Sequence, residues 1–158
     1  MAIIDVEELA RTLPAGKTVA GIDPGTTTIG LAVSDRNLSF AHPRPVIMRK
    51  KFALDAAALL SALARDEVYA LAIGLPVNMD GSEGPRAQAS RAFARNLSKL
   101  TEMPLLFWDE RLSTVAAERT LIEMDFSRKR RETKIDSAAA AFILQGVLDR
   151  LRALRRPA

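Results

Sequence analysis

The order of short β-branched segments and longer helical segments is the feature that most constrains the fold of this chain. The runs 19–23 and 28–35 are separated by a Pro-Gly pair, which predicts two antiparallel strands joined by a tight turn. Strands are predicted at 19–23, 28–35, about 38–48, 69–76 and 104–110, and helices at 53–65, 85–100, 113–124 and 136–156. This order predicts an α/β fold with a mixed central sheet flanked by helices, in which the first three strands are antiparallel and the later ones parallel.

Both ends of the chain are predicted to be helical. A short helical extension occupies about 1–16, and the last helix is basic and carries an apolar stripe at three- and four-residue spacings. The stripe consists of Ala140, Ile143, Val147, Leu151 and Leu154. Since no repeat, linker or low-complexity segment divides the sequence, a single domain over 1–158 is expected.

Composition excludes several classes of protein. The chain has no cysteine, so neither a disulfide scaffold nor a thiolate metal site can form. Its apolar runs are well short of the ~20 residues that span a bilayer. The first residues carry acids where a signal peptide carries bases. These features predict a cytoplasmic protein without a membrane partner.

Positive charge is concentrated near the C-terminus. The segment 127–158 contains nine Lys and Arg residues against three Asp and Glu residues, although the whole chain has a net charge of only +4. Such a concentration is typical of proteins that bind nucleic acid. A solvated, frayed terminus is an equally good explanation of the charge alone.

Three carboxylates from distant parts of the sequence are candidates for one metal site. Asp23 lies near the end of the first strand, Glu110 closes a later strand, and Asp136 opens the last helix. Strand carboxyl ends and helix amino ends are where α/β sheets build their sites. With no cysteine and one histidine in the chain, Mg²⁺ or Mn²⁺ is the expected ion. Asp136 has a structural alternative as a helix-dipole partner, and Glu110 has one as a partner of Arg111.

Four segments, in order, resemble the motif blocks of the YqgF/RuvX family, whose fold is ribonuclease-H-like. They are GIDPGTTTIGLAVSD, AIGLPVNMDGSEGPRAQASRAFARNL, FWDERLSTVAAERTL and KIDSAAAAFILQGVLD, and the resemblance covers about 19–150. It implies a metal-dependent nuclease of the bacterial cytoplasm that processes the 5′ end of pre-16S rRNA. By position, the acids of the family fall on Asp23, Glu110 and Asp136. The family commonly has one or two basic residues before Ile-Gly, where Thr27 and Thr28 stand in this chain.

Hydrolysis of phosphodiesters by two metal ions fits these acids. Asp23 would bridge two cations about 3.5–4 Å apart, with Glu110 and Asp136 completing their coordination. Basic residues after Pro85, beside Glu110 and in the tract SRKRRETK are expected to contact nucleic acid, although each could also be a solvated surface residue. These residues are Arg91, Arg95, Lys99, Arg111, Arg128, Lys129, Arg130, Arg131 and Lys134.

The sequence leaves other functions open. A Holliday junction resolvase acting on branched DNA is the competing interpretation, and it would favour a two-fold dimer over a monomer. A non-catalytic RNA-binding module ranks lower. GIDPGTT also resembles the first phosphate loop of the sugar kinase, actin and Hsp70 ATPases, but 158 residues leave no room for the second domain that those proteins need. The expected partners are therefore pre-rRNA or branched DNA, with ribosomal particles as a further candidate.

Overall fold

The structure, a computed structural model, describes residues 3–112 and 135–155, and for residues 135 and 136 it describes the backbone alone. The strands are β1 (Thr18–Pro24), β2 (Thr28–Ser34), β3 (Ala41–Met48), β4 (Val68–Leu75) and β5 (Leu105–Asp109). The helices are α1 (Val6–Thr12), α2 (Phe52–Ala64), α3 (Pro85–Ser98) and α4 (Ile135–Arg155), and a 3-10 turn, Glu110–Leu112, follows β5. The helix predicted at 113–124 lies outside the described residues.

The five strands form one mixed sheet in the order β3-β2-β1-β4-β5. β2 is antiparallel to both β1 and β3, whereas β4 is parallel to β1 and to β5. This topology confirms the predicted mixed sheet of a ribonuclease-H-like fold. Because β1, β4 and β5 are parallel, all three finish at the same end of the sheet, called the carboxyl end below.

Side chains of each strand alternate between two apolar cores, one on each face of the sheet. α4 covers the face that includes Val19 of β1, and α1 packs against α4 on the same side. α2 and α3 cover the opposite face, which includes Ala20 and Ile22 of β1. Alternation along β1 therefore directs Asp23 to the α4 face. The predicted stripe of the last helix is buried at Ala140, Ile143, Val147 and Leu151.

Two glycines allow α4 to lie close against the sheet. A Cβ atom on Gly21 of β1 would lie 2.8 Å from Ala140 O and from Leu144 Cβ, and one on Gly74 of β4 would overlap Ile143 Cδ1. Real Cβ atoms do not tolerate such distances from backbone atoms, so any side chain at Gly21 would push the helix away. Close packing of α4 thus depends on Gly21 in the middle of β1 and on Gly74 near the carboxyl end of β4.

Buried polar side chains fix α4 along β3. Ser137 donates through Oγ to Arg44 O, and Gln145 Oε1 accepts from Ala41 N at 2.9 Å. Arg44 is opposite Leu31 of β2, which is in turn opposite Ile22 of β1. The helix therefore starts near the carboxyl end of the sheet and runs toward the other end.

The third strand is shorter than predicted because a turn precedes it. The carboxylate Oδ1 of Asp35 accepts from Ser39 N at 2.8 Å and from Phe40 N at 2.9 Å, and Leu38 has a positive φ of 59°. The strand accordingly begins at Ala41. Across the described residues, none of the helices combines the length and the apolar character that crossing a bilayer requires.

Candidate metal and nucleic-acid site

Asp23 and Glu110 meet at the carboxyl end of the sheet, with Gly74 between their strands. Asp23 is the next-to-last residue of β1 and comes directly after Ile22, which is paired with Ile73 of β4. Glu110 follows β5, and its Cδ lies 3.5 Å from the position that a Cβ on Gly74 would take. The missing side chain of Gly74 therefore leaves room for the carboxyl of Glu110 to approach β1.

The electrostatics of Glu110 indicate that the two acids share a site. Burial raises the pKa of Glu110, the negative charge of Asp23 raises it further, and Asp109 adds a smaller effect in the same direction. Among the described residues, the positive charge of Arg86 acts to lower it. Two carboxylates placed so that one disfavours ionisation of the other are stabilised together by a cation between them.

The third predicted acid, Asp136, is the second residue of α4, and the structure describes only its backbone. The neighbouring Ser137 is bonded to Arg44 O, at the level of Ile22 along the sheet. The backbone of Asp136 is thus placed at the first turn of a helix that starts at the level of Ile22, the residue before Asp23. Within the described side chains, no three His, Cys, Asp or Glu residues converge as a metal-binding group.

The described part of the site fits a hard divalent cation. Asp23 and Glu110 offer only carboxylate oxygens, which are the ligands that Mg²⁺ and Mn²⁺ prefer. The chain has one histidine, His42, and it lies exposed on β3, opposite Val33. It is on the surface of an edge strand of the sheet.

Arg111 is held by Asp109 and not by Glu110. Its guanidinium donates to both carboxylate oxygens of Asp109, from Nη2 to Oδ2 at 2.7 Å and from Nε to Oδ1 at 3.1 Å, and this pairing lowers the pKa of Asp109. Arg111 Nη1 also donates to Met79 O at 3.4 Å. The structural alternative for Glu110 as the partner of Arg111 is therefore wrong.

The basic residues predicted to contact nucleic acid differ in their surroundings. Arg91 forms a two-point ion pair with Glu83, at 2.6 and 2.7 Å, and its guanidinium lies 4.8 Å from the ring centre of Phe107. Arg95 and Lys99 are exposed. The contacts of these residues with nucleic acid stay predictions. The remaining members lie outside the described residues: Arg128, Lys129, Arg130, Arg131 and Lys134.

Two arginines that the sequence did not single out bind the turn after Asp23. Arg86 Nη2 donates to Pro24 O at 3.1 Å, and Arg49 Nη1 donates to Gly25 O at 2.7 Å. They come from α3 and from the segment after β3, so only the folded chain brings them together. A signal was present for Arg86, because a cation in the first turn of a helix opposes the helix dipole.

Comparisons with known proteins show which sequences and folds this chain is similar to. The family model RuvX, described as "Holliday junction resolvase", matches residues 17–150. Two relatives carry the name "Putative pre-16S rRNA nuclease". The one from Mesorhizobium japonicum is 72% identical over 142 residues, 90% of this chain and 86% of its own. The one from Brucella anthropi is 63% identical over 158 residues, 100% of this chain and 96% of its own.

A solved structure shares the fold. RuvC of Thermus thermophilus in complex with a Holliday junction substrate superposes with a TM-score of 0.56 at 17% identity, covering 87% of this chain and 94% of that one. At this identity the likeness shows the fold alone. The family model and the two close relatives, by contrast, each span most of the sequence. The resemblance found in the four motif blocks is thereby confirmed, and this chain belongs to the RuvX family.

Proposed function

We propose that this protein is a divalent-metal-dependent nuclease of the bacterial cytoplasm that processes the 5′ end of pre-16S rRNA. The observation that carries the proposal is the meeting of Asp23 and Glu110 at the carboxyl end of the sheet, in a chain 72% identical to a relative named for that activity. Free pre-rRNA or a ribosomal particle that contains it would be the substrate, bound by a monomer or a homodimer.

The proposed metal ligands are Asp23, Glu110 and Asp136. When bound, Mg²⁺ or Mn²⁺ ions supply Lewis-acid activation of the phosphodiester and of the attacking water. The carboxylates bind the ions in their charged form, so the raised pKa of Glu110 means that protonation of this carboxyl competes with metal binding as the pH falls. Gly74 keeps the space between the strands open for this ligand set.

The basic surface would hold the nucleic acid against these acids. Exposed Arg95 lies on α3 and exposed Lys99 directly follows this helix, whose amino end begins beside the turn after Asp23. Arg91 and Arg111 would have to exchange Glu83 and Asp109 for phosphate, or bind phosphate with donors that these carboxylates leave free. The basic tract before α4 completes the proposed binding surface.

Cleavage of branched DNA is the second candidate, because the matching family model carries the description of a Holliday junction resolvase. The two activities are separated by presenting the protein with a pre-16S 5′ fragment, an unrelated single-stranded RNA and a four-way DNA junction in Mg²⁺ and in Mn²⁺. Faster cleavage of the pre-16S fragment is expected. Preferential, paired cuts in the junction would instead support cleavage of branched DNA, the second candidate function.

Asp23→Asn is the decisive variant for the metal site. It should abolish cleavage of every substrate and leave the melting temperature equal or higher, because it removes charge repulsion beside Glu110. The matched control is Glu7→Gln, which neutralises an exposed acid on α1, 3.8 Å from Arg150, and should cleave normally. A wild-type protein that binds RNA but cuts none of the three substrates in either metal would instead be a non-catalytic binding module.

A further inference from the structure

Arg86 occupies a position that its own helix does not explain. It is the second residue of α3, and the first turn of this helix contains no acid. The amino end of a helix carries partial positive charge, so an arginine there is electrostatically unfavourable. The reason for a cation at this position must therefore lie outside α3.

The guanidinium of Arg86 lies at the same end of the sheet as the two acids. Its hydrogen bond to Pro24 O, at 3.1 Å, attaches it to the residue directly after Asp23. Its charge also acts on the carboxyl of Glu110, in opposition to the charges of Asp23 and Asp109. The turn itself has no basic side chain, since residues 24–28 are Pro, Gly and three Thr.

Neighbouring arginines are already paired with carboxylates. Arg91 lies 2.6 Å from Glu83, Arg111 lies 2.7 Å from Asp109, and Arg49 lies 3.7 Å from the buried Asp55. Arg86 forms no ion pair of this kind with any residue in the described ranges, and it is exposed. A guanidinium has five N–H donors, so one bond to a neutral carbonyl leaves both its charge and most of its donors available.

We propose that Arg86 binds the phosphate that is cut, holding its non-bridging oxygens while Asp23 and Glu110 hold the metal ions. This inference rests on the proposed nuclease function and adds a catalytic residue to it. The planar fork of arginine matches two phosphate oxygens at once. Negative charge develops on those oxygens in the transition state of cleavage. A fixed cation therefore stabilises the transition state more than the ground state.

The first experiment compares cleavage by Arg86→Ala and Arg86→Lys with cleavage by the wild type. Arg86→Ala should lower kcat/KM for the pre-16S fragment about 100-fold or more, and Arg86→Lys should restore part of the loss. The matched control is Arg36→Ala, which removes a guanidinium that also donates to a backbone carbonyl, Gly16 O at 3.0 Å, before the start of β1. It should stay within about 2-fold of wild type, as expected for a surface charge.

The second experiment asks whether Arg86 acts on the phosphate itself. RNA affinity is measured in an Asp23→Asn background, where nothing is cut, for Asp23→Asn alone and for Asp23→Asn/Arg86→Ala. One RNA carries the natural phosphate at the mapped cut, and the other carries an uncharged methylphosphonate with a 2′-O-methyl sugar on its 5′ side. Loss of Arg86 should weaken binding of the natural RNA about 10-fold and of the uncharged RNA less than 2-fold.

The outcomes separate this inference from the proposed function. Equal losses on the two RNAs, with an active wild-type protein, would show that Arg86 only supports the turn after Asp23, and would overturn the inference alone. A wild-type protein that cuts no substrate would overturn the nuclease function and the inference with it. The proposal that Arg86 binds the phosphate that is cut is supported if Arg86→Ala weakens binding of the natural RNA more than binding of the RNA with the uncharged methylphosphonate.

Discussion

Removal of the charge on Glu110 should make the metal-free protein more stable near neutral pH. The carboxyl of Glu110 lies over Gly74, one strand from Asp23, and adjacent strands are about 4.8 Å apart. Unit charges one to two strand spacings apart, about 5–10 Å, repel by roughly 2–3 kcal/mol at an effective dielectric constant of about 20. Glu110 is half-exposed, so solvent screening reduces the repulsion to about 1 kcal/mol. Glu110→Gln should raise the melting temperature by about 2–4 °C.

The gain should depend on pH in a defined direction. Burial and the charges of Asp23 and Asp109 raise the pKa of Glu110 in the folded state, and Arg86 opposes them. A raised carboxyl pKa favours the folded state fully below the unfolded pKa, and this contribution is lost as the pH rises through the folded pKa. The advantage of Glu110→Gln should therefore be greatest above the folded pKa and should shrink as the pH falls toward the ordinary glutamate value of about 4.3.

Thermal melts between pH 4.5 and 8 in a chelating buffer measure this effect, with Glu7→Gln as the surface control. Addition of Mn²⁺ should then reverse the order, because the wild-type protein gains stability from an ion that binds its folded state and the Glu110→Gln variant gains less. A Gln variant that is less stable than wild type at pH 8 without metal, at every ionic strength, would refute repulsion at this site.

Three further predictions concern the helix on the sheet, the buried ion pair and the basic surface. Gly21→Ala, whose Cβ would lie 2.8 Å from Ala140 O, should lower the free energy of unfolding by about 1–3 kcal/mol, as measured by chemical denaturation. The control Gly84→Ala, whose Cβ would have its nearest atom at 3.7 Å, should lower it less. Arg49→Ala removes the cation beside the Asp55 carboxylate, which is only 2% exposed. This change should lower the free energy of unfolding by about 3 kcal/mol. Adding Asp55→Ala should recover part of that loss. RNA affinity should fall steeply and linearly with the logarithm of salt concentration, and salt-independent binding would contradict a basic binding surface.

Much of the fold was predictable because its signals are local. The β-branched runs on either side of Pro-Gly predicted the β1–β2 hairpin, whose residues pair as expected from Ala20 with Val33 to Pro24 with Ile29. The alternation of strands and helices predicted the mixed sheet, with antiparallel strands first and parallel strands after them. Once three strands are parallel, acids at their carboxyl ends must approach one another, so Asp23 and Glu110 were predictable partners as well.

Partners of the arginines were not predictable in the same way. Two acids, Asp109 and Glu110, directly precede Arg111 in the sequence. Its pairing with Asp109 depends on the 3-10 turn that starts at Glu110 and directs the two carboxylates differently. Arg86 and Arg49 reach the turn after Asp23 from segments more than 20 residues away in sequence. Such contacts are set by the packing of α3 and of the segment after β3, and no periodicity in the sequence reports them.

The position of Asp136, the third proposed metal ligand, depends on contacts that α4 makes away from the two other acids. Close packing at Gly21 fixes the distance of α4 from the sheet, while Ser137 and Gln145 bond to two points along β3 and so fix the helix along its axis. A helix held in this way has its first turn, which includes Asp136, at the level of Ile22 along the sheet. Substitutions along β3 or at Gly21 should therefore reduce metal affinity without altering any acid, because two carboxylates alone leave the ion incompletely coordinated.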